Sequence, residues 1–150
     1  MRAILIIVLI LITSIAFPKS AGAVSSHLGL KDSFLSSCPQ TPNCVVSQNA
    51  DQKHTIAPIE YHTDLATARE TLLQVLTVVP RTEVIEQTDN YIHAQSKSRI
   101  FGFVDDLEFY FPSEQKVIHL RSASQVGESD LGVNRRRLEQ IRLAMDELKV

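Results

Sequence analysis

Between Leu65 and Leu148 the spacing of apolar residues changes period twice, and this restricts the folds open to the chain. Leu65, Ala68, Leu72, Val75, Leu76 and Val79 recur at helical spacing and form one stripe. Pro80 stops that helix, because its ring removes an amide donor and clashes with the preceding turn. The spacing predicts a helix over 65–78. Thr63 or Asp64 would cap it, or a capping box from Thr67 to Glu70 one turn later. After Pro80 the period becomes two. Strands are expected at 82–87, 91–97, 103–111 and 116–122, with a short one at 59–62. Thr88-Asp89-Asn90 and Pro112 to Gln115 supply turns. After a polar loop from Gly127 to Gly132, Leu138, Ile141, Met145 and Leu148 return to helical spacing and predict a helix over 133–148. Strands joined by short connections pair antiparallel. One-sided helices and a twisted sheet must bury their apolar sides against each other. The expected fold is α+β: a two-layer sandwich, with an antiparallel sheet of about four to five strands and two helices packed on one face. It would occupy residues 58–150.

The third and fourth long strands carry the strongest polar pattern. Leu107, Phe109 and Phe111 alternate with Asp106, Glu108 and Tyr110, and Ile118 and Leu120 alternate with His119 and Arg121. A hairpin puts its apolar sets on one face, here Leu107 and Phe109 opposite Leu120 and Ile118. Asp106, Glu108, His119 and Arg121 then share the open face, and His93 reaches it from the next strand. Arg121 faces Asp106 or Glu108 according to register. Asp105 falls on the apolar side, which points to a bulge or a strand start. Three readings of the open face compete. It is a solvated surface whose ion pairs set register. It is a binding face for a small polar ligand or an envelope protein, built from Asp106, Glu108, His119, Arg121 and His93. Or it holds metal or acid–base chemistry on His93, His119, Asp106 and Glu108.

The N-terminus reads as an address. Met1-Arg2 precedes an uncharged, apolar run from Ala3 to Phe17, and Ala21-Gly22-Ala23 offers small residues for cleavage after Ala23. The run is shorter than the roughly 20 residues of a spanning helix. The expectation is a signal peptide over 1–23 and export to the periplasm or an equivalent space. The alternative is an uncleaved anchor formed by residues 3–17, which would be the chain's only membrane contact. Without Arg2 and Lys19 the chain keeps 13 basic against 17 acidic residues. That balance argues against a nucleic-acid partner. Residues 24–57 show little periodicity and read as an irregular segment. Cys38 and Cys44 are the only cysteines. In an oxidising compartment an even pair this close reads as one disulfide.

Arg135-Arg136-Arg137 opens the last predicted helix, where cations oppose the helix dipole. Pairing of Asp130 with Arg135 or Arg136 is expected, with Asp130 and Asn134 as caps. No Gly-rich phosphate loop, Gly-x-Ser-x-Gly or His-Glu-x-x-His motif is present, and no cofactor or resident metal is indicated.

Several stretches together resemble one family: Cys38 to Gln48, Pro80-Arg81-Thr82, Tyr91 to Ala94, Phe101 to Phe109, and Arg121 to Arg137. They are similar to the Domain of Unknown Function 1499 family from about Leu35 to Leu143. Gln125 and Glu128 depart from its pattern, standing where a basic and an aromatic residue are expected. The resemblance implies no activity and transfers no catalytic residue. The sequence therefore points to an exported, non-enzymatic binding or accessory module of the envelope. The alternative is an enzyme or metal-binding protein using the His/Asp/Glu cluster.

Overall fold

The computed structural model describes residues 28–150. The expected signal segment, residues 1–23, lies outside them. The described chain opens with a small antiparallel hairpin, β1 (Leu30–Lys31) and β2 (Phe34–Leu35). Then follow β3 (Cys44–Val46), β4 (Ile59–Glu60), α1 (Leu65–Val78), β5 (Thr82–Gln87) and β6 (Tyr91–Lys97). β7 (Val104–Tyr110), β8 (Val117–Ser124) and α2 (Val133–Glu147) complete it. The main sheet has the order β3-β8-β7-β6-β5 and is antiparallel throughout. β4 pairs with β8 farther along the edge that β3 occupies. The architecture is the expected α+β one, with six strands in the main sheet. The additional edge comes from Cys44–Val46, inside the segment read as irregular, because three residues are too few to show a period of two.

Local chemistry sets the element ends. Asp64 caps α1, its carboxylate accepting the Thr67 amide at 2.9 Å. The helix ends before Pro80, and Arg81 turns the chain into β5 at a φ of 56°. Ile85 is an extra residue in β5, where the register shifts between Val84 and Glu86. At the start of α2, Gly132 has a φ of 77°, and a Cβ there would meet Arg136 Nη1 at 3.1 Å. Glycine suits both constraints.

The sheet's helix-facing side carries Ile92, Ala94, Leu107, Phe109, Ile118 and Leu120, all buried. Leu72, Val75 and Leu76 of α1 and Leu138, Ile141 and Met145 of α2 close over them. Each such side chain contributes about 1.5–3 kcal/mol through burial. Two details differ from expectation. Leu148 ends the apolar stripe of α2 but is exposed; Lys149 at a φ of 54° reverses the chain and Val150 packs into the core. The β7–β8 register pairs Phe109 with Leu120 and Leu107 with Ser122. Leu107 therefore does not face Leu120, and Phe109 does not face Ile118.

Candidate functional site

The register that displaces Leu120 also pairs Glu108 with Arg121. Arg121 Nη1 donates to Glu108 Oε2 at 2.7 Å, and the Tyr91 hydroxyl donates to Oε1 at 2.8 Å. Gly29 N donates to the same Oε1 at 2.7 Å, from 79 residues earlier in the chain. One strand over, His93 Nε2 lies 2.9 Å from Asp106 Oδ1, which also accepts from Gln95 and Gln125 at 3.1 Å each. Four of the expected site residues thus form two adjoining clusters. Both are buried: Glu108 is 0% exposed, Arg121 and Asp106 1%, and His93 5%.

The face expected to be open is covered. Residues 28–50 lie across it as a strap, with Leu35 and Val46 packed on Tyr91 and Tyr110, and Leu30, Cys38 and Ala50 beside them. Gln48 fastens β2, its Oε1 accepting Leu35 N at 2.9 Å and its Nε2 donating to Ser33 O at 3.2 Å. Within the strap, the Cys38–Cys44 disulfide ties the segment after β2 to β3, with the two Cα atoms 5.6 Å apart. The strap has enough apolar residues to exclude water but no repeat that would mark it as a layer.

Burial changes what these groups can do. It opposes ionisation of Asp106, but hydrogen bonds from His93, Gln125 and Gln95 outweigh it and hold the carboxyl below its ordinary range. Burial, then the Glu108 charge, push the Tyr91 hydroxyl far above its ordinary value, so it remains a donor. Arg121 Nε is buried without a hydrogen-bond partner among the described residues. Such a cluster specifies register and fastens a cover.

His119 stands apart. Its Nδ1 lies 3.1 Å from Ser47 Oγ, and its ring stacks on Tyr110 with centroids 6.3 Å apart. Ser47 Oγ accepts Leu120 N at 2.9 Å, so its own proton is free to go to His119 Nδ1. Burial lowers the His119 pKa and favours the neutral ring. His119, Ser47, Gln48, Asn49, Tyr110 and Gln115 line much of a cleft of about 410 Å³. Among the described residues no three His, Cys, Asp or Glu side chains are grouped to hold a metal ion. His93, Asp106, Glu108 and His119 do not converge, because Arg121 takes Glu108 and Ser47 takes His119.

The residues expected at the start of α2 divide differently. Asp130 accepts Gly132 N at 2.9 Å and Asn134 N at 2.7 Å, and so caps the helix from outside. It pairs with neither Arg135 nor Arg136. Arg135 donates to the carbonyls of Thr55 and Lys53, and Arg136 to that of Leu131. Asn134 is no cap: it is fully buried, donating to Asn43 O and Ser124 Oγ at 3.1 Å each and accepting from Ser122 at 2.5 Å. Arg137 reaches Asp105 at 2.9 Å, and Ser124 donates to the same carboxylate at 2.7 Å. Asp105 therefore needs no bulge. The β7 ladder is continuous there, and the carboxylate faces α2.

Sequence reasoning missed Tyr91, Gln95, Gln125, Ser47 and Arg137 as members of these clusters. Alternation already put Tyr91 and Gln95 beside His93, so two were within reach. Nothing in the sequence brings Ser47 to His119, 72 residues away.

A two-layer α+β sandwich with a disulfide-tied strap over its second face defines the structural class. Residues 34–145 match the family model described as a protein of unknown function (DUF1499), and the chain belongs to that family. No curated protein matches it.

Proposed function

We propose that the protein is an exported, non-enzymatic binding or accessory domain of the cell envelope, taking a small, neutral, polar ligand in the cleft beside His119. One observation carries this reading: Asp106 is held by His93, Gln95 and Gln125, and Glu108 by Arg121, Tyr91 and Gly29, all four charged or imidazole groups being buried, while His119 keeps a face on a cleft of about 410 Å³. That volume falls within the range of small-molecule sites. Its lining offers amides, hydroxyls and the Tyr110–His119 stack, and no carboxylate, Lys or Arg. The disulfide supports an oxidising compartment. Among the described residues no helix is long and apolar enough to cross a membrane.

Variants scored for Tm and for complementation in cells lacking the native copy test the reading. His119→Ala and Gln115→Ala should abolish complementation with little change in Tm. Glu108→Gln should lower Tm instead. If Glu108→Gln folds normally yet fails to complement, the ligand engages the covered charges and the cleft reading is wrong.

The Ser47–His119 contact favours one second reading, acyl transfer with Ser47 as nucleophile and His119 as base. Among the described residues no carboxylate orients His119, and Leu120 N holds the Ser47 oxygen. Covalent labelling of Ser47 by a fluorophosphonate, abolished in His119→Ala, would establish it.

A further inference from the structure

The strands place one end of the molecule apart from the rest. The β6–β7 loop, the β8–α2 loop and the end of α1 all emerge there, because β5 starts beside the end of β6, and Gln125 N donates to Val104 O. Val78, Ile100, Phe101, Phe103, Val126 and Leu131 lie at this end, six of the 13 large apolar side chains that are exposed among the described residues. Ile100 is 81% exposed and Phe101 74%. The Phe101 and Phe103 rings stack at 5.6 Å on a hairpin closed by Ser98 N to Phe103 O and by Phe103 N to Ser98 Oγ. Singly exposed apolar residues are ordinary; three within four positions of one hairpin, two of them stacked, are not.

The charges around this group are ordered too. From Lys97 to Phe103 there are two cations, Lys97 and Arg99, and no acid. Arg81 sits beside them, its Nε donating to Lys97 O at 2.9 Å. Arg81 and Lys97, with Thr82, Glu83 and Gln95, line a second cleft of about 330 Å³ next to the hairpin. The opposite end of the sheet carries Glu60, Asp64, Asp89 and Glu114, all exposed. The hairpin itself carries cations alone, although Glu83 and the exposed Glu128 of the β8–α2 loop also lie at this end, and Lys116 lies at the other.

We propose that the hairpin Lys97–Phe103 is a membrane-docking tip that seats Ile100, Phe101 and Phe103 in the interfacial region of an anionic bilayer, with Lys97, Arg99 and Arg81 on lipid phosphates. The tip projects instead of forming a groove, which suits a deformable surface better than a folded protein. Aromatic and aliphatic groups at headgroup depth, flanked by cations, are the recurring chemistry of interfacial anchoring. The adjoining cleft, with Arg81 and Lys97 beside Glu83, gives a phosphate two cations to sit against while its acyl chains lie against the phenyl rings. Docking here leaves the His119 cleft, between the strap and the β7–β8 turn, facing away from the bilayer.

The chain contains no Trp, so one introduced at the tip reports on the tip alone. The full chain carrying Phe101→Trp, with Ile100→Trp as a second version and Leu143→Trp on exposed α2 as control, is mixed with vesicles of phosphatidylcholine and phosphatidylglycerol at 7:3. Both tip variants should shift to the blue and be quenched by brominated lipid; Leu143→Trp should do neither. Lys97→Gln and Arg99→Gln added to the tip variant should each weaken partitioning about fivefold. An N-terminal anchor alone would sediment the chain with vesicles but leave a tip tryptophan in water, which overturns the proposal. Equal shifts on pure phosphatidylcholine overturn it as well. A tip already blue-shifted without lipid means that a second copy or another part of the chain covers it, and also overturns it.

Discussion

The sheet is covered on both faces, by opposite means. On one side two helices lay long apolar stripes on Leu107, Phe109, Ile92 and Leu120. On the other a strap of short strands, fastened by one disulfide and a few hydrogen bonds, lies on a row of charges and two tyrosines. Asp105 and Asp106 show the contrast within one dipeptide. Asp105 turns toward α2 and pairs with Arg137; Asp106 turns toward the strap side and gathers His93, Gln95 and Gln125. Non-directional burial fixes the helix face, so its contacts tolerate small shifts. The strap face is held by directional pairs, and those pairs are what set strand register.

The largest effect should come from breaking the charge pair that the strap covers. Glu108→Ala leaves Arg121 buried without its counter-ion, and Arg121→Met leaves Glu108 in the same state. Each should cost about 3–5 kcal/mol in urea unfolding. The double variant Glu108→Met/Arg121→Met should recover most of that loss, since two apolar side chains need no partners. If each single change costs under about 1 kcal/mol, the strap face is not held by its charges and the contrast between the faces collapses.

The cover itself comes next. Leu35→Ala removes the strap's buried apolar anchor, which is 4% exposed. A loss of about 2 kcal/mol is expected, near the low end for buried leucines because the hairpin can partly close over the gap. Opening should be local. Amide exchange should quicken at Gly29 and Leu35, while Leu107 and Phe109 keep their protection. Uniform acceleration over all four would show one cooperative unit instead of a strap on a sheet.

Smaller again is the disulfide. Cys38→Ser with Cys44→Ser releases a short loop, for which closure entropy gives roughly 2.4 kcal/mol. Pro39 and Pro42 already stiffen the unfolded loop, so the measured loss should fall below that. A value above it would mean that the bridge orders the strap beyond its own loop.

How much of this was legible follows from the same contrast. Apolar period revealed the helix side: α1, β5 and β6 lie where the spacing puts them, and the core stripe of α2 is right except at its last turn. The composition of the polar face was also legible, since alternation forces Asp106, Glu108, His119, Arg121 and His93 onto one side. Its burial was not. Covering it takes Leu30, Leu35 and Val46, three apolar residues spread over 17 positions with no period to read. The sequence left two registers for Arg121, and the choice between them needed the β7–β8 turn geometry. The partners of the arginines that open α2 are not their nearest charges in sequence. Arg135 instead found the carbonyls of Lys53 and Thr55, whose approach depends on the fold of the whole N-terminal segment.

Acid separates two positions of the strap side, His119 and Asp106, at the finest scale. His119 has its pKa lowered by burial from 6.5, so the folded protein holds the neutral ring more firmly than the unfolded chain does. Its contribution is fully present above pH 6.5 and is lost as pH falls toward the folded value, because the unfolded state binds the proton first. Asp106 is lowered from 3.8, burial opposing and the hydrogen bonds from His93, Gln125 and Gln95 prevailing, so its contribution is kept above pH 3.8 and lost below. Tm should therefore decline in two steps between pH 8 and pH 3, one beginning near 6.5 and one below 3.8. His119→Gln should erase the first and spare the second. Asp106→Asn should lower Tm at neutral pH and flatten the second. If His119→Gln leaves the first step in place, another group supplies it, and the neutral imidazole loses its claim to line the cleft as a fixed donor and acceptor.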